Sequence, residues 1–183
     1  MNKDIKILAV SGKAQHGKDT AAKIIHDELV SRGYKVLLIH YADLLKFICK
    51  SLFKWNGEKD EKGRQILQYV GTDVVRKERP NYWVQFVVDM INLFGENWDY
   101  VIIPDTRFPN EIDVLKENFP NVQHIRVVRP GFVSTLTEEQ LKHPSETALD
   151  DVMADFILWN AGTEDDLIET IKTYITEELL YNA

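Results

Sequence analysis

Apolar residues along the chain alternate between short continuous runs and stretches with helical spacing. Residues 5–11, IKILAVS, form a run of the kind that makes a strand covered on both faces of a parallel sheet. From Lys18 to Arg32 the apolar positions Ala21, Ile24, Ile25 and Leu29 recur at helical spacing, and Gly33 supplies a left-handed stop. Residues 35–42, KVLLIHYA, are β-rich again and complete a βαβ unit, whose crossover is expected to be right-handed. Further runs of strand character are YVIIPD at 100–105, HIRVVR at 124–129 and FILW at 156–159, so the pattern predicts five strands in a mainly parallel sheet.

The second and third predicted strands are separated by an insertion, about residues 43–98, whose apolar positions are again helical. They are Ile66, Leu67, Val70 and Val74, then Trp83, Val87, Met90 and Phe94. After the fourth strand, residues 130–146 read PGFVSTLTEEQLKHPSE, a polar stretch punctuated by Pro130, Gly131 and Pro144, and a lid is expected over about 130–147. Near the C-terminus Thr163 and Asp166 stand in capping-box relation before Leu167, Ile171, Ile175 and Leu179, which share one helix face. No repeat, low-complexity tract or linker interrupts the 183 residues, so residues 1–183 are expected to form a single three-layer α/β domain decorated by the insertion and the lid.

Composition narrows the chemistry. With 44% hydrophobic and 28% charged residues the chain is an ordinary globular one. Its 22 Lys and Arg against 29 Asp and Glu give a net charge of −7, which repels a phosphate polymer and argues against a nucleic-acid partner. A small anion needs only a few converging cations and is not excluded. Cys49, the only cysteine, lies in an apolar stretch, so no internal disulfide or cysteine metal cluster can form, and it is expected in the core. The apolar run in MNKDIKILAV is far shorter than a membrane span and no small-residue cleavage site follows it, which points to a cytoplasmic location and no membrane partner.

One segment carries specific chemistry. Gly12, Lys13, Ala14, Gln15, His16, Gly17 and Lys18 match GxxxxGK between a predicted strand and a predicted helix, where a phosphate-binding loop must sit. Its glycines let backbone N–H groups turn inward around phosphate oxygens, the helix N-terminus adds positive potential, and Lys18 reaches the β and γ phosphates. Asp19 stands where such loops usually carry a magnesium-ligating hydroxyl, with Thr20 one place later. This GKxT ending is similar to that of adenylate kinase and related nucleoside monophosphate kinases, in which magnesium is held largely through water. Asp19 either joins the outer shell of the metal or caps the helix.

Asp105 ends the third predicted strand, where a Walker-B-type aspartate would face a magnesium ion. Thr106 and Arg107 follow it in place of a water-activating glutamate, which favours phosphoryl transfer over hydrolysis. Arg107 offers a planar fork for an acceptor phosphate, although Asp105 and Arg107 also read as a local turn pair before Pro109, Asn110 and Glu111. No NKxD motif is present, which weighs against a GTPase.

With SGKAQHGKDT, YADLLK, LQYVGTDVVR, DTRFPNE and HPSE in this order, the chain resembles the phage-type deoxynucleoside monophosphate kinases over nearly its whole length. The resemblance implies a five-stranded parallel sheet of order 2-3-1-4-5, ATP as donor, Mg²⁺ as cofactor and a deoxynucleoside monophosphate as acceptor, in a bacterial or phage-infected cytosol. It implies an acceptor pocket built by Asp43 and Lys46 and by Arg64, Gln68, Thr72, Arg76 and Trp83, with Gln68 at a base edge. Trp83 either packs on base or sugar or is a core residue. Arg129 is expected to offset charge on the transferred phosphoryl group, with Arg126 a weaker candidate. His143, Ser145 and Glu146 order the lid or touch the acceptor, unless Ser145 simply caps a helix. Asn160, Ala161 and Gly162 are expected near the donor adenine, and Asp105 and Thr20 near the metal, Thr20 through water.

Small-molecule nucleotides are thus the expected partners, with homodimerisation left open. The expected chemistry is in-line transfer without a general base. The competing readings are a kinase of phosphomevalonate or dephospho-coenzyme A, and a non-catalytic nucleotide-sensing module.

Overall fold

The strands β1 (Lys6–Ser11), β2 (Val36–Leu38), β3 (Tyr100–Thr106), β4 (Val122–Val128) and β5 (Phe156–Trp159) form one parallel sheet in the order β2-β3-β1-β4-β5. A computed structural model describes residues 5–58 and 60–180; the expected domain limits at 1 and 183 lie outside them. β1 is central, with Ile7 opposite Val101 of β3 on one side and Val122 of β4 on the other. Its period-2 alternation divides the core in two. Leu8 and Val10 face a layer made by α1 (Lys18–Ser31) and α8 (Glu164–Tyr174), where Ile25, Leu29 and Ile171 pack. Ile7 and Ala9 face the opposite layer, where Trp83, Val87 and Ile91 of α4 (Tyr82–Phe94) meet Leu115 of α5 (Pro109–Asn118). This is the expected three-layer fold.

β2 is shorter than the run 35–42 suggests, because a carboxylate from the next strand intercepts the chain. The backbone N–H groups of Tyr41 and Ala42 donate to Asp105 Oδ1 and Oδ2, each at 3.0 Å, and Asp43 accepts from the His40 N–H at 3.1 Å. These acceptors satisfy the orphan amides at the start of α2 (Tyr41–Phe53), so the chain turns helical at Tyr41. β4 in turn begins at Val122 and ends at Val128, leaving Arg129 one residue past the strand.

The insertion is helical as expected. It runs through α2, α3 (Glu61–Gln68), a π-helix over Tyr69–Arg76 and α4, and it carries a small core of its own where Cys49, Trp55 and Val70 pack. Trp83 is 3% exposed and its Nε1–H donates to the Gly71 carbonyl at 3.0 Å, pinning the π-helix to the sheet layer. It packs here as a core residue. The lid segment is partly helical, with α6 (Glu138–Leu141) capped by Thr137 and α7 (Pro144–Thr147) opening at His143.

A buried polar pair sits inside this apolar frame. Ser11 Oγ lies 2.7 Å from His124 Nε2, both side chains are fully buried, and His124 Nδ1 faces the Met153 carbonyl at 3.4 Å. Burial pushes the imidazole pKa below its ordinary 6.5, outweighing the Met153 carbonyl.

Two outcomes are expected. Trp83→Phe removes a buried hydrogen bond and lowers unfolding free energy by about 1–3 kcal/mol in urea titration. Because the folded His124 pKa lies below the unfolded one, its contribution is fully present above 6.5 and is lost as pH falls from there to the lower folded pKa. Melting temperature should therefore drop through this window, by at most about 1.4 kcal/mol of stability per pH unit, and drop less in His124→Gln.

Candidate active site

Immediately after β1 the backbone takes a path that requires glycine. Gly12 has φ of 153° and a Cβ there would lie 2.7 Å from the Val127 carbonyl; Gly17 has φ of 88° and a Cβ would lie 2.6 Å from Asn160 Nδ2. The loop between them follows the carboxyl end of β1 and delivers the chain into α1 at Lys18. Lys18 is 7% exposed, and among the described residues its ammonium hydrogen-bonds to no protein acceptor. Burial lowers its pKa below 10.5 and the neighbouring Arg107 adds to this, while Asp19, Glu146 and Asp105 pull it back up. A largely buried lysine at a helix N-terminus suits an anion.

Two cavities flank the loop. One, of about 390 Å³, is lined by Lys18, Asp19, Thr20, Arg129, Asn160 and Gly162. The other, of about 190 Å³, is lined by Gly12, Lys13, Thr106, Arg107, Arg126 and Glu146. The loop tip is braced from the lid and from β5: Gln15 exchanges hydrogen bonds with Thr135, His16 Nδ1 accepts from the Arg129 N–H at 3.2 Å, and Asn160 Nδ2 donates to the His16 carbonyl at 3.1 Å. The Arg129 guanidinium lies over the Phe132 ring, 4.9 Å from its centroid.

On the side of the smaller cavity, Arg107 Nη1 donates to Glu146 Oε1 at 2.7 Å and to the Ser145 carbonyl at 3.2 Å, and the Ala14 N–H donates to Glu146 Oε2 at 2.8 Å. Lys13 donates to the Glu146 carbonyl and to Asp150. His143 and Ser145 pair with each other at 2.8 Å, so they order α7. Arg126 donates to the carbonyls of Leu149 and Val152 and ties the following loop to β4.

Several candidates have structural partners. Asp105 was expected to face a metal, yet each of its oxygens already accepts an α2 amide. Burial raises its pKa, opposed first by the Ala42 N–H. It acts here as the cap of α2. Arg76 donates to Glu111 Oε1 at 2.7 Å and stacks on the Phe108 ring, its guanidinium carbon 3.9 Å from the centroid. Asp43 pairs with Lys46 at 3.1 Å on the first turns of α2. Arg64 and Gln68 are exposed and Thr72 half-buried, and no side-chain hydrogen bond engages them among the described residues.

Glu111 is the residue sequence reasoning underrated. At 2% exposure, its Oε2 accepts the N–H groups of Arg107 and Phe108 at 2.7 and 3.1 Å while Oε1 holds Arg76. Burial raises its pKa and Arg76 opposes that shift most strongly. One carboxylate thus sets the turn that carries Arg107 and docks the insertion against it. The FPNE spacing signals a capping box, but the partner Arg76 lies far away in the chain.

The profile of a family described as deoxynucleotide monophosphate kinase matches residues 38–171. A deoxynucleotide monophosphate kinase of Enterobacteria phage T4 is 35% identical over 111 residues, which is 60% of this chain and 43% of that protein, so the match spans less than half of the phage relative. A putative deoxynucleotide monophosphate kinase of Acanthamoeba polyphaga mimivirus is 29% identical over 192 residues, 90% of this chain and 93% of the relative. Among solved structures, a Mycobacterium tuberculosis APS kinase in complex with AMPPNP and APS superposes with a TM-score of 0.53 at 9% identity, covering 94% of this chain and 98% of that one. A sugar kinase from Janibacter superposes at 0.57 and 15% identity, covering 94% and 95%. These two share the fold.

Glu111→Ala strands a buried guanidinium and two amides, and is expected to cost about 3–5 kcal/mol of stability by chemical denaturation, the size of a broken buried pair.

Proposed function

The chain belongs to the deoxynucleotide monophosphate kinase family, and from that premise we propose that it transfers the γ-phosphoryl group of ATP to the phosphate of a deoxynucleoside monophosphate. The observation that carries this reading is Lys18, a buried lysine that lines the larger of the two cavities bordering its loop. A donor triphosphate lying over the loop from the side of Asp19 and Thr20 would bring its last phosphate toward Arg107, and an acceptor would approach from the other side. The APS kinase with AMPPNP and APS is a relative in fold whose two ligands represent the same division of labour.

Transfer is in line. An oxygen of the acceptor phosphate forms a bond to the γ-phosphorus, the bond from that phosphorus to the β–γ bridging oxygen breaks, and ADP leaves with the electron pair. The acceptor phosphate is already ionised near neutral pH, so the residues orient and neutralise and no general base is needed. In this reading Lys18 and the loop amides from Gln15 onward hold the donor phosphates, Arg129 offsets charge from the lid side, and Arg107 beside the Ala14 amide takes the acceptor phosphate. Gln68, Thr72 and Arg64 of the insertion, unengaged by other side chains, are the groups left to read base and sugar. Asp19 and Thr20 stand exposed on the first turn of α1, and their oxygens suit a hard cation such as Mg²⁺ that keeps most of its water. Bound there, Mg²⁺ would neutralise phosphate charge.

No helix among the described residues is long and apolar enough to cross a membrane. We place its action on small nucleotides in the cytoplasm, carried out by a single catalytic domain with a helical acceptor insertion and a lid.

Coupled ADP release with Mg·ATP and a panel of deoxynucleoside and ribonucleoside monophosphates tests the proposal. Acceptor-dependent turnover is expected, reduced at least about 100-fold in Lys18→Ala. Tight ATP binding without turnover on any monophosphate would sink it.

A further inference from the structure

Glu146 sits where an anion belongs. Its carboxylate is held by the Ala14 N–H of the phosphate loop and by the Arg107 guanidinium, at 2.8 and 2.7 Å, in the cavity on the acceptor side of the loop. An inward backbone amide beside an arginine fork is the donor set that proteins use for phosphate oxygens. Lys18 is close enough for both Arg107 and Glu146 to shape its electrostatics. We propose that the Glu146 carboxylate is a stand-in for the acceptor phosphate, holding its seat on Ala14 and Arg107 while no acceptor is bound and leaving it when one arrives. The identity of the anion as a nucleotide phosphate rests on the kinase reading, whereas the seat itself does not.

Three features make the carboxylate displaceable. Its carrier, α7, is only four residues long, and no residue from 130 to 147 is buried as a whole, although the Glu146 side chain itself is 7% exposed. The backbone of Glu146 is held independently of its side chain, since its N–H donates to the His143 carbonyl at 2.8 Å and its carbonyl accepts from Lys13. These main-chain anchors are kept when the carboxylate gives up its contacts with Ala14 and Arg107. A phosphate monoester also carries about −1.5 to −2 charges and three acceptor oxygens against one charge on the carboxylate, so Arg107, Lys18 and the loop amide favour it. The consequence is self-competition: apparent acceptor affinity is reduced by the fraction of molecules in which the seat is taken.

Calorimetric titration of inorganic phosphate into the whole chain tests this, with AMPPNP binding as the donor-side control. Glu146→Gln keeps the shape and removes the charge, and is expected to bind phosphate about tenfold tighter than wild type. Its AMPPNP affinity should change less than its phosphate affinity, because Glu146 touches Ala14 and Arg107 directly and only adds to the field at Lys18. Equal or weaker phosphate binding with intact AMPPNP binding overturns the proposal. A crystal structure of the wild-type chain with phosphate decides it even if the variant folds poorly. A phosphate oxygen on the Ala14 amide with Glu146 swung out supports the stand-in, and phosphate elsewhere with Glu146 still in place refutes it. Either result is separable from the kinase reading, which stands or falls on acceptor-dependent ADP release.

Discussion

The buried ammonium of Lys18 is the constraint around which the site is organised. An unpaired cation with little solvent is costly, and the chain tolerates it because the first turn of α1, the loop amides and three nearby carboxylates hold the local field in balance. Its location follows from topology. β1 is the middle strand, its carboxyl end opens at the point where the chain departs to α1 on one face while β3 leads to α5 on the other, and ligands bind at such an edge.

The carboxylates around the site are mostly engaged by main-chain amides. Asp105 caps α2, Glu111 caps the turn that carries Arg107, and Asp43 closes the first turn of α2. Each draws its helix start toward the sheet edge, so that residues from three segments converge there without a dedicated wall of side chains. Glu111 extends this logic across the fold, because its second oxygen docks Arg76 and thereby the whole π-helical end of the insertion. Glu146 belongs to the same set in chemistry but not in anchoring, for it is carried by a short helix in an unburied segment.

Much of this was legible in the residues. The runs at 5–11 and 100–105 identify the central strands because unbroken apolar sequence suits a strand covered on both faces, and the glycines at 12 and 17 mark where the backbone must bend in ways other residues resist. The helical insertion, the buried Cys49 and the capped α8 follow from local periodicity. The end of β2 was not legible, since the residues IHYA have strand propensity and only a carboxylate from β3 makes them turn.

The sequence by itself determined the α/β fold, the strand order through its resemblance, and the position of the glycine-bearing loop between β1 and α1, because those depend on short-range patterns of apolar, glycine and lysine positions. Tertiary structure alone decided what the charged and aromatic candidates do. Trp83 and Arg76 look alike on paper as pocket residues, yet one is buried against Gly71 and the other against Glu111 and Phe108. Arg107 and Glu146 are 39 residues apart and meet only because β3 and the lid converge on the same loop. A polar side chain takes its role from whichever partner the fold brings within hydrogen-bond reach, and that distance is not written in the local sequence.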